Sequence, residues 1–205
     1  MKIKILIADD HAIVRYGLSS LFRTQKDMEV VGCAKDGAEV VRLALENRPD
    51  VVVMDLSMPQ MDGAVATAEL QRKLPSAKVL LLTSYLTSDG IAHALKAGAL
   101  GAITKTTEDK VLIPTVRKIA SGERVISPEI SQYLDENPPV PRLSEQQSAI
   151  LQSITRGLSN ADIAKLLDIR QDSVEKYIRK LFAKLGAANR AEAVAIALRK
   201  QLLKI

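Results

Sequence analysis

The first 120 residues alternate between short apolar runs and longer segments with helical spacing, and the apolar runs tend to end in polar chemistry. Asp9 and Asp10 follow Ile3-Lys4-Ile5-Leu6-Ile7-Ala8, Asp55 follows Val51-Val52-Val53-Met54, and Thr83 follows Val79-Leu80-Leu81-Leu82. Lys105 follows Leu100-Gly101-Ala102-Ile103-Thr104, and Val30-Val31-Gly32-Cys33-Ala34 supplies a further run. Runs of four to six residues rich in Val, Ile and Leu read as strands buried on both faces of a parallel sheet. The spacing predicts helices at Ala12–Arg23, Gly37–Glu46, Gly63–Leu74, Thr87–Ala97 and Lys110–Ala120. Five such alternations predict an α/β fold, a doubly wound five-stranded parallel sheet with right-handed crossovers. Ligands of these sheets bind at the carboxyl ends of the strands, which would gather Asp9, Asp10, Asp55, Thr83 and Lys105 into one crevice.

After Gly122 the alternation stops. Ser127-Pro128 and Asn137-Pro138-Pro139-Val140-Pro141 favour stiff, extended chain, so residues 122–142 are expected to be a linker, with a short helix around Glu129–Leu134. The rest is helical. Ser144 with Gln147 has the form of a capping box, Ser159 can cap a short helix, and a longer helix is predicted from Gln171 to Leu185, stopped by Gly186. Asn189 can cap a last helix running toward Leu203. Helices meeting at Leu167-Asp168-Ile169 make a helix-turn-helix candidate, giving domains at 1–121 and 143–205.

Charge sharpens this division. Residues 1–121 carry 16 basic and 14 acidic side chains, 122–142 carry 2 and 4, and 143–205 carry 11 and 6, so the short helical part holds the basic excess and is the candidate partner of a polyanion. A composition of 47% hydrophobic and 26% charged residues argues against disorder or a fibrous class. No apolar stretch approaches the ~20 residues that span a bilayer, and the N-terminus enters a strand rather than a signal core, so a cytoplasmic protein with no membrane partner is expected. The single cysteine, Cys33, rules out an internal disulfide and is expected to be a buried, inert thiol.

Carboxylates gathered in a crevice repel one another unless a cation neutralises them, and oxygen ligands with room for water and phosphate point to Mg²⁺. There Asp55 could attack phosphorus to form an aspartyl phosphate. Lys105 would offset the charge of the transferring group, and Thr83 would donate to one of its oxygens. The plainer reading is of solvated aspartates at a helix N-terminus and a strand-end hydroxyl bonded to local backbone. His11 and His93 are assigned no role.

At these residues the chain resembles the receiver domain of bacterial two-component response regulators: Asp9-Asp10, Asp55 within Met54-Asp55-Leu56-Ser57-Met58-Pro59-Gln60-Met61-Asp62-Gly63, Thr83-Ser84, and Lys105 after Ala97-Gly98-Ala99. Gly157-Leu158-Ser159-Asn160, Ile163-Ala164, Val174 and Lys184-Leu185-Gly186 resemble the LuxR-type helix-turn-helix, and together they resemble the NarL/FixJ subfamily over nearly the whole chain. The resemblance implies a flavodoxin-like receiver followed by a small all-α DNA-binding domain. It implies Asp55 as phosphoryl acceptor from a partner sensor histidine kinase, and Mg²⁺ held by Asp10, Asp55 and the Ser57 carbonyl, with Asp9 acting through water. Thr83 and Lys105 would bind phosphoryl oxygens. Lys176, Arg179, Lys180, Glu175 and Arg190 become candidate contacts to double-stranded DNA.

The same resemblance implies a transcription regulator with at most slow self-dephosphorylation rather than an enzyme, and a homodimer when phosphorylated. Val194, Leu198 and Leu202 are candidate dimer contacts or, equally, core of the helical domain. The chain also departs from the pattern. Ala102 stands where receivers often carry a Tyr or Phe that turns inward when the switch threonine engages phosphate, and Tyr85 is a candidate substitute or ordinary packing. Arg170 replaces a cap-forming Ser, Glu175 a basic residue, and Gln147 an acidic one. An aspartate-nucleophile phosphohydrolase is disfavoured, since its two acids would share one strand end. A regulator whose helical domain acts through protein partners is the alternative that Ala102, Arg170 and Glu175 keep open.

Overall fold

The computed structural model describes residues 2–84, 88–139, 143–200 and 202. The chain divides into two compact units, Met1–Pro138 and Pro139–Ile205. Counted by these units, the first carries 17 basic and 18 acidic side chains and the second 12 and 6, so the whole basic excess lies in the second.

In the first unit β1 (Ile3–Ala8), β2 (Met28–Ala34), β3 (Val51–Met54), β4 (Lys78–Thr83), β5 (Gly101–Thr104) and β6 (Val125–Ile126) form one sheet in the order β2-β1-β3-β4-β5-β6. All neighbours pair in parallel. Side chains alternate between the two sheet faces, which gives two cores. On one face Leu6, Val52, Met54, Leu81 and Ala102 pack with residues of α2 (Gly37–Asn47), α3 (Gly63–Lys73), α4 (Ser88–Lys96) and α6 (Pro128–Glu136). On the other Ile5, Ile7, Val51, Val53, Leu80, Leu82 and Ile103 pack with α1 (Ala12–Arg23) and α5 (Asp109–Ser121).

The sheet has six strands where five were expected, and α6 follows at once, so the first part of the expected linker is regular structure. Val125-Ile126 is too short to show a strand period, but its backbone completes a ladder: Val125 N–H donates to Leu100 O (3.0 Å) and Ser127 N–H to Ala102 O (3.0 Å). Ser127-Pro128 starts a helix instead of breaking one. The Ser127 side chain accepts from Ile130 N–H, and Pro128 stands in the first turn, where its missing N–H would have had no helical partner. The four earlier helices that lie wholly within the described residues follow the predicted spans to within a residue at each end; Thr87, the expected start of α4, and Tyr85 lie outside the described residues. Cys33 is exposed, contrary to expectation, because β2 is the sheet's outer strand.

The second unit consists of α7 (Glu145–Thr155), α8 (Asn160–Leu166), α9 (Gln171–Leu185) and α10 (Arg190–Arg199) around one core that includes Ile150, Ile154, Ile163, Val174, Leu181 and Ile196. All three expected N-caps form: Ser144 with Gln147 and Ser159 with Asp162 as capping boxes, and Asn189 by accepting from Glu192 N–H. The turn between α8 and α9 passes through Asp168 at φ 51°, a left-handed conformation that Asp tolerates better than most residues. The last helix was expected to run toward Leu203, which lies outside the described residues.

Candidate functional site

The ends of β1, β3, β4 and β5 bring together four of the expected residues. Asp9, Asp55 and Thr83 are almost fully buried. Lys105 reaches between the two carboxylates, its Nζ 2.6 Å from Asp9 Oδ2 and 3.2 Å from Asp55 Oδ2. The strands set this convergence directly: Asp55 N–H donates to Ala8 O (2.8 Å) and Lys105 N–H to Thr83 O (2.9 Å), which continues the ladder one residue past each strand and holds the four ends level.

Two carboxylates and one ammonium in a nearly closed site leave an excess of negative charge. Burial pushes the Asp55 carboxyl above its usual range; Lys105 opposes that rise and the Asp9 charge adds to it. For Lys105 burial disfavours the ammonium, but the hydrogen bond and charge of Asp9 and the charge of Asp55 outweigh it, so its pKa is raised and it is cationic at neutral pH. Leu56 N–H donates to Asp55 Oδ1 (2.9 Å), which leaves Oδ2 facing the ammonium.

Asp10 stands further out, its side chain 33% exposed, and pairs with His11, whose Nδ1 lies 2.6 Å from Asp10 Oδ1 and 3.2 Å from Asp9 Oδ1. Sequence reading gave His11 no role, yet it ties the two aspartates together; its position straight after them was the available signal. Arg15 was missed altogether. Its Nη1 donates to Asp9 O (2.6 Å), and nothing in the spacing marks it beyond its place one turn into α1. Ser57 lies exposed on the loop after β3. That loop is shaped at both ends: Gly63 N–H donates to Leu56 O (2.9 Å), and a Cβ on Gly63 would meet Asp55 O at 2.4 Å, so only glycine fits against the strand end. Gln60 within it has a left-handed φ of 63°.

The donors of Asp9, Asp10 and Asp55 are hard oxygens with surplus negative charge, the chemistry of a small divalent cation that keeps part of its water shell. Asp9, Asp10 and His11 each offer a ligand atom within 4.8 Å of the others. The residues present therefore fit Mg²⁺, and His11 is a neighbour of that donor set rather than a ligand that a hard cation would choose.

In the second unit, α9 buries Val174, Leu181 and Leu185 and exposes Glu175, Lys176, Arg179 and Lys180 along its outer side. Arg170 occupies the N-cap without a side-chain cap and instead pairs with Asp172 (3.0 Å). Gln147 serves two partners, accepting from Ser144 N–H (3.0 Å) and from Lys184 Nζ (3.0 Å), so one amide fills the place of the expected acid. Arg190, a candidate phosphate contact, also has a structural use. Its guanidinium donates to Leu158 O and lies 3.4 Å from Asn160 Oδ1, joining α10 to the start of α8.

Residues 5–117 match the response regulator receiver domain family, and residues 141–197 match the luxR family of bacterial regulatory proteins. The oxygen regulatory protein NreC of Staphylococcus epidermidis is 38% identical over 216 residues, covering 98% of this chain and 99% of that protein. The response regulator protein VraR of Staphylococcus aureus is 37% identical over 209 residues and covers all of both. Among solved structures, the response regulator ChrA of a heme-sensing two-component system superposes with a TM-score of 0.60 at 33% identity, over 98% of this chain and 99% of that one.

Proposed function

The chain belongs to the NarL/FixJ response regulators of bacterial two-component systems, a receiver joined to a LuxR-type DNA-binding domain, and we propose that Asp55 is its phosphoryl acceptor. The observation that carries the proposal is the Lys105 ammonium shared between Asp9 and Asp55 at the ends of three strands. An Asp55 oxygen attacks phosphorus, and the bond to the donor's leaving group breaks. A partner histidine kinase supplies the phosphoryl group. The charge that spreads over the transferring oxygens meets Lys105, which is already desolvated and in place and so needs little reorganisation. Thr83, buried at the end of β4, donates to a phosphoryl oxygen. Mg²⁺, held by Asp10, Asp55 and the Ser57 carbonyl with Asp9 behind, would neutralise the surplus carboxylate charge so that a dianion can approach.

The product adds roughly −1.5 to −2 charge to the site, enough to redirect Lys105 from the carboxylate to the phosphoryl group. The protein changes state by being modified, not by turning over a substrate, apart from slow loss of its own phosphoryl group. In this reading it acts in the cytoplasm on double-stranded DNA, with α9 in the major groove. Lys176, Arg179 and Lys180 supply charge there, Glu175 lies among them, and phosphorylation favours a dimer that presents two such helices.

The test is labelling by acetyl phosphate. Wild-type protein should take up one phosphoryl group in the presence of Mg²⁺ and almost none in EDTA, and Asp55→Asn should take up none. Undiminished labelling of the Asp55→Asn variant would remove Asp55 from the role.

A further inference from the structure

Thr83 and Leu81 stand two residues apart on β4 and so project from the same sheet face, the face of the core that includes Ala102. Ala102 is the register partner of Leu81 on one side and of Ile126 on the other. Its methyl group is fully buried and cannot follow a moving threonine as a ring would. Several bulky groups reach this face from the helices, Leu70 from α3 and Ile91 from α4 among them, and the one from α6 is Ile130. Ile130 is 0% exposed and belongs to the same core as Ala102, Ile91 and Ala94, while Leu134 and Ile126 pack at its margin. α6 contacts both α4 and β5, and Pro139, where the second unit begins, lies three residues beyond its end.

We propose, on the premise that Asp55 is the acceptor, that α6, through Ile130, is the element that reads the Thr83 position in this chain, in place of an aromatic side chain at position 102. When Thr83 is drawn toward the phosphoryl group it vacates room on the α4 side of the face. Interiors do not keep such voids, and on the β5 side, where Ala102 has no torsion to turn, the buried group that can move in is the Ile130 side chain with its helix, which contacts both α4 and β5. Seating Ile130 more deeply moves the end of α6, and the chain that leads into the DNA-binding unit moves with it.

Amide hydrogen exchange of the full chain, with and without beryllofluoride and Mg²⁺, tests this; ¹⁹F resonances of bound beryllofluoride report independently that Asp55 is engaged. Exchange over residues 128–136 should slow by roughly fivefold when beryllofluoride is bound. Ile130→Val should keep the slowing. Ile130→Ala should lose it while still binding beryllofluoride, and Ala102→Phe, which fills the same space from β5, should make α6 unresponsive even where Ile130→Ala does not fold. Bound beryllofluoride with unchanged or faster exchange in α6 overturns the relay. Failure to bind beryllofluoride at all overturns the acceptor assignment and the relay with it.

Discussion

The acidic pocket and the outer side of α9 are both built from charged side chains, yet the fold treats them in opposite ways. In the pocket Asp9 and Asp55 are withdrawn from water and fixed by strand ends, backbone donors and a shared ammonium, so their chemistry is defined before any ligand arrives. On α9 the fold secures the apolar side through Val174, Leu181 and Leu185 and leaves Glu175, Lys176, Arg179 and Lys180 in solvent. A charge in water contributes little until a partner displaces that water. The pocket is therefore preorganised, and the helix face, proposed above to meet DNA, acquires its energetic meaning only when a partner displaces that water.

The contrast is most vulnerable at Lys105. Lys105→Gln leaves two buried carboxylates without their cation, so stability in EDTA should fall by on the order of 3 kcal/mol. Phosphoryl uptake should fall by about 10²-fold or more. Urea unfolding and acetyl phosphate labelling read the two effects, and added Mg²⁺ should restore more of the stability than of the rate. Unfolding at the wild-type midpoint in EDTA would mean that Lys105 is no more committed than a surface lysine.

Arg179→Ala should show the opposite profile. Its unfolding free energy should stay within about 0.5 kcal/mol of wild type, as for an exposed substitution. Its DNA affinity should drop by about tenfold near 0.1 M salt, and the slope of log K against log salt should lose about one unit. Glu175→Lys is the gentler probe of the same face, expected to steepen that slope by up to ~2 while leaving the fold unchanged. A salt titration identical to wild type for both variants would move the DNA-reading role away from α9 and favour a protein-binding helical domain.

The smallest effect probes the pocket from the other side. Because the Asp55 pKa is raised, the folded chain holds a proton that the unfolded chain has released once pH exceeds the ordinary carboxylate value of 3.8. Stability contributed by Asp55 is thus present below 3.8, is lost as pH rises through the higher folded value, and remains absent at neutral pH. Asp55→Asn removes the ionised group, so in EDTA at pH 7 the variant should melt higher than wild type, by about 2–4 °C. The gain should vanish in acid. Thermal scans across pH settle it, and a variant that melts lower at pH 7 would show that Asp55 is stabilised, not strained, by its surroundings.

The strand ends and helix caps were legible in the sequence because the signals are local: an apolar run stops where a polar group begins, and Ser144 and Ser159 each sit three residues before their N3 partner. Asp9, Asp55, Thr83 and Lys105 could be placed for the same reason, since a parallel sheet aligns its strand ends. What could not be read depended on contacts distant in sequence. β6 exists because β5 offers it a ladder, Cys33 is exposed because β2 lies at the edge, and Arg190 turns inward because Leu158 O waits for it. Composition at those positions is neutral between the outcomes.

The pairing of β6 with β5 also bears on how the chain is made. Until residues 125–127 have emerged from the ribosome, Leu100 and Ala102 offer carbonyl groups along an open sheet edge, and until Ile130 follows, the Ala102 face lacks its cover. Such an edge is a template for pairing with another nascent chain. A polypeptide ended at Ser121, seventeen residues short of Pro138, would leave the β5 edge and the Ala102 face open, and sedimentation against residues 1–138 is expected to show more self-association for the shorter piece.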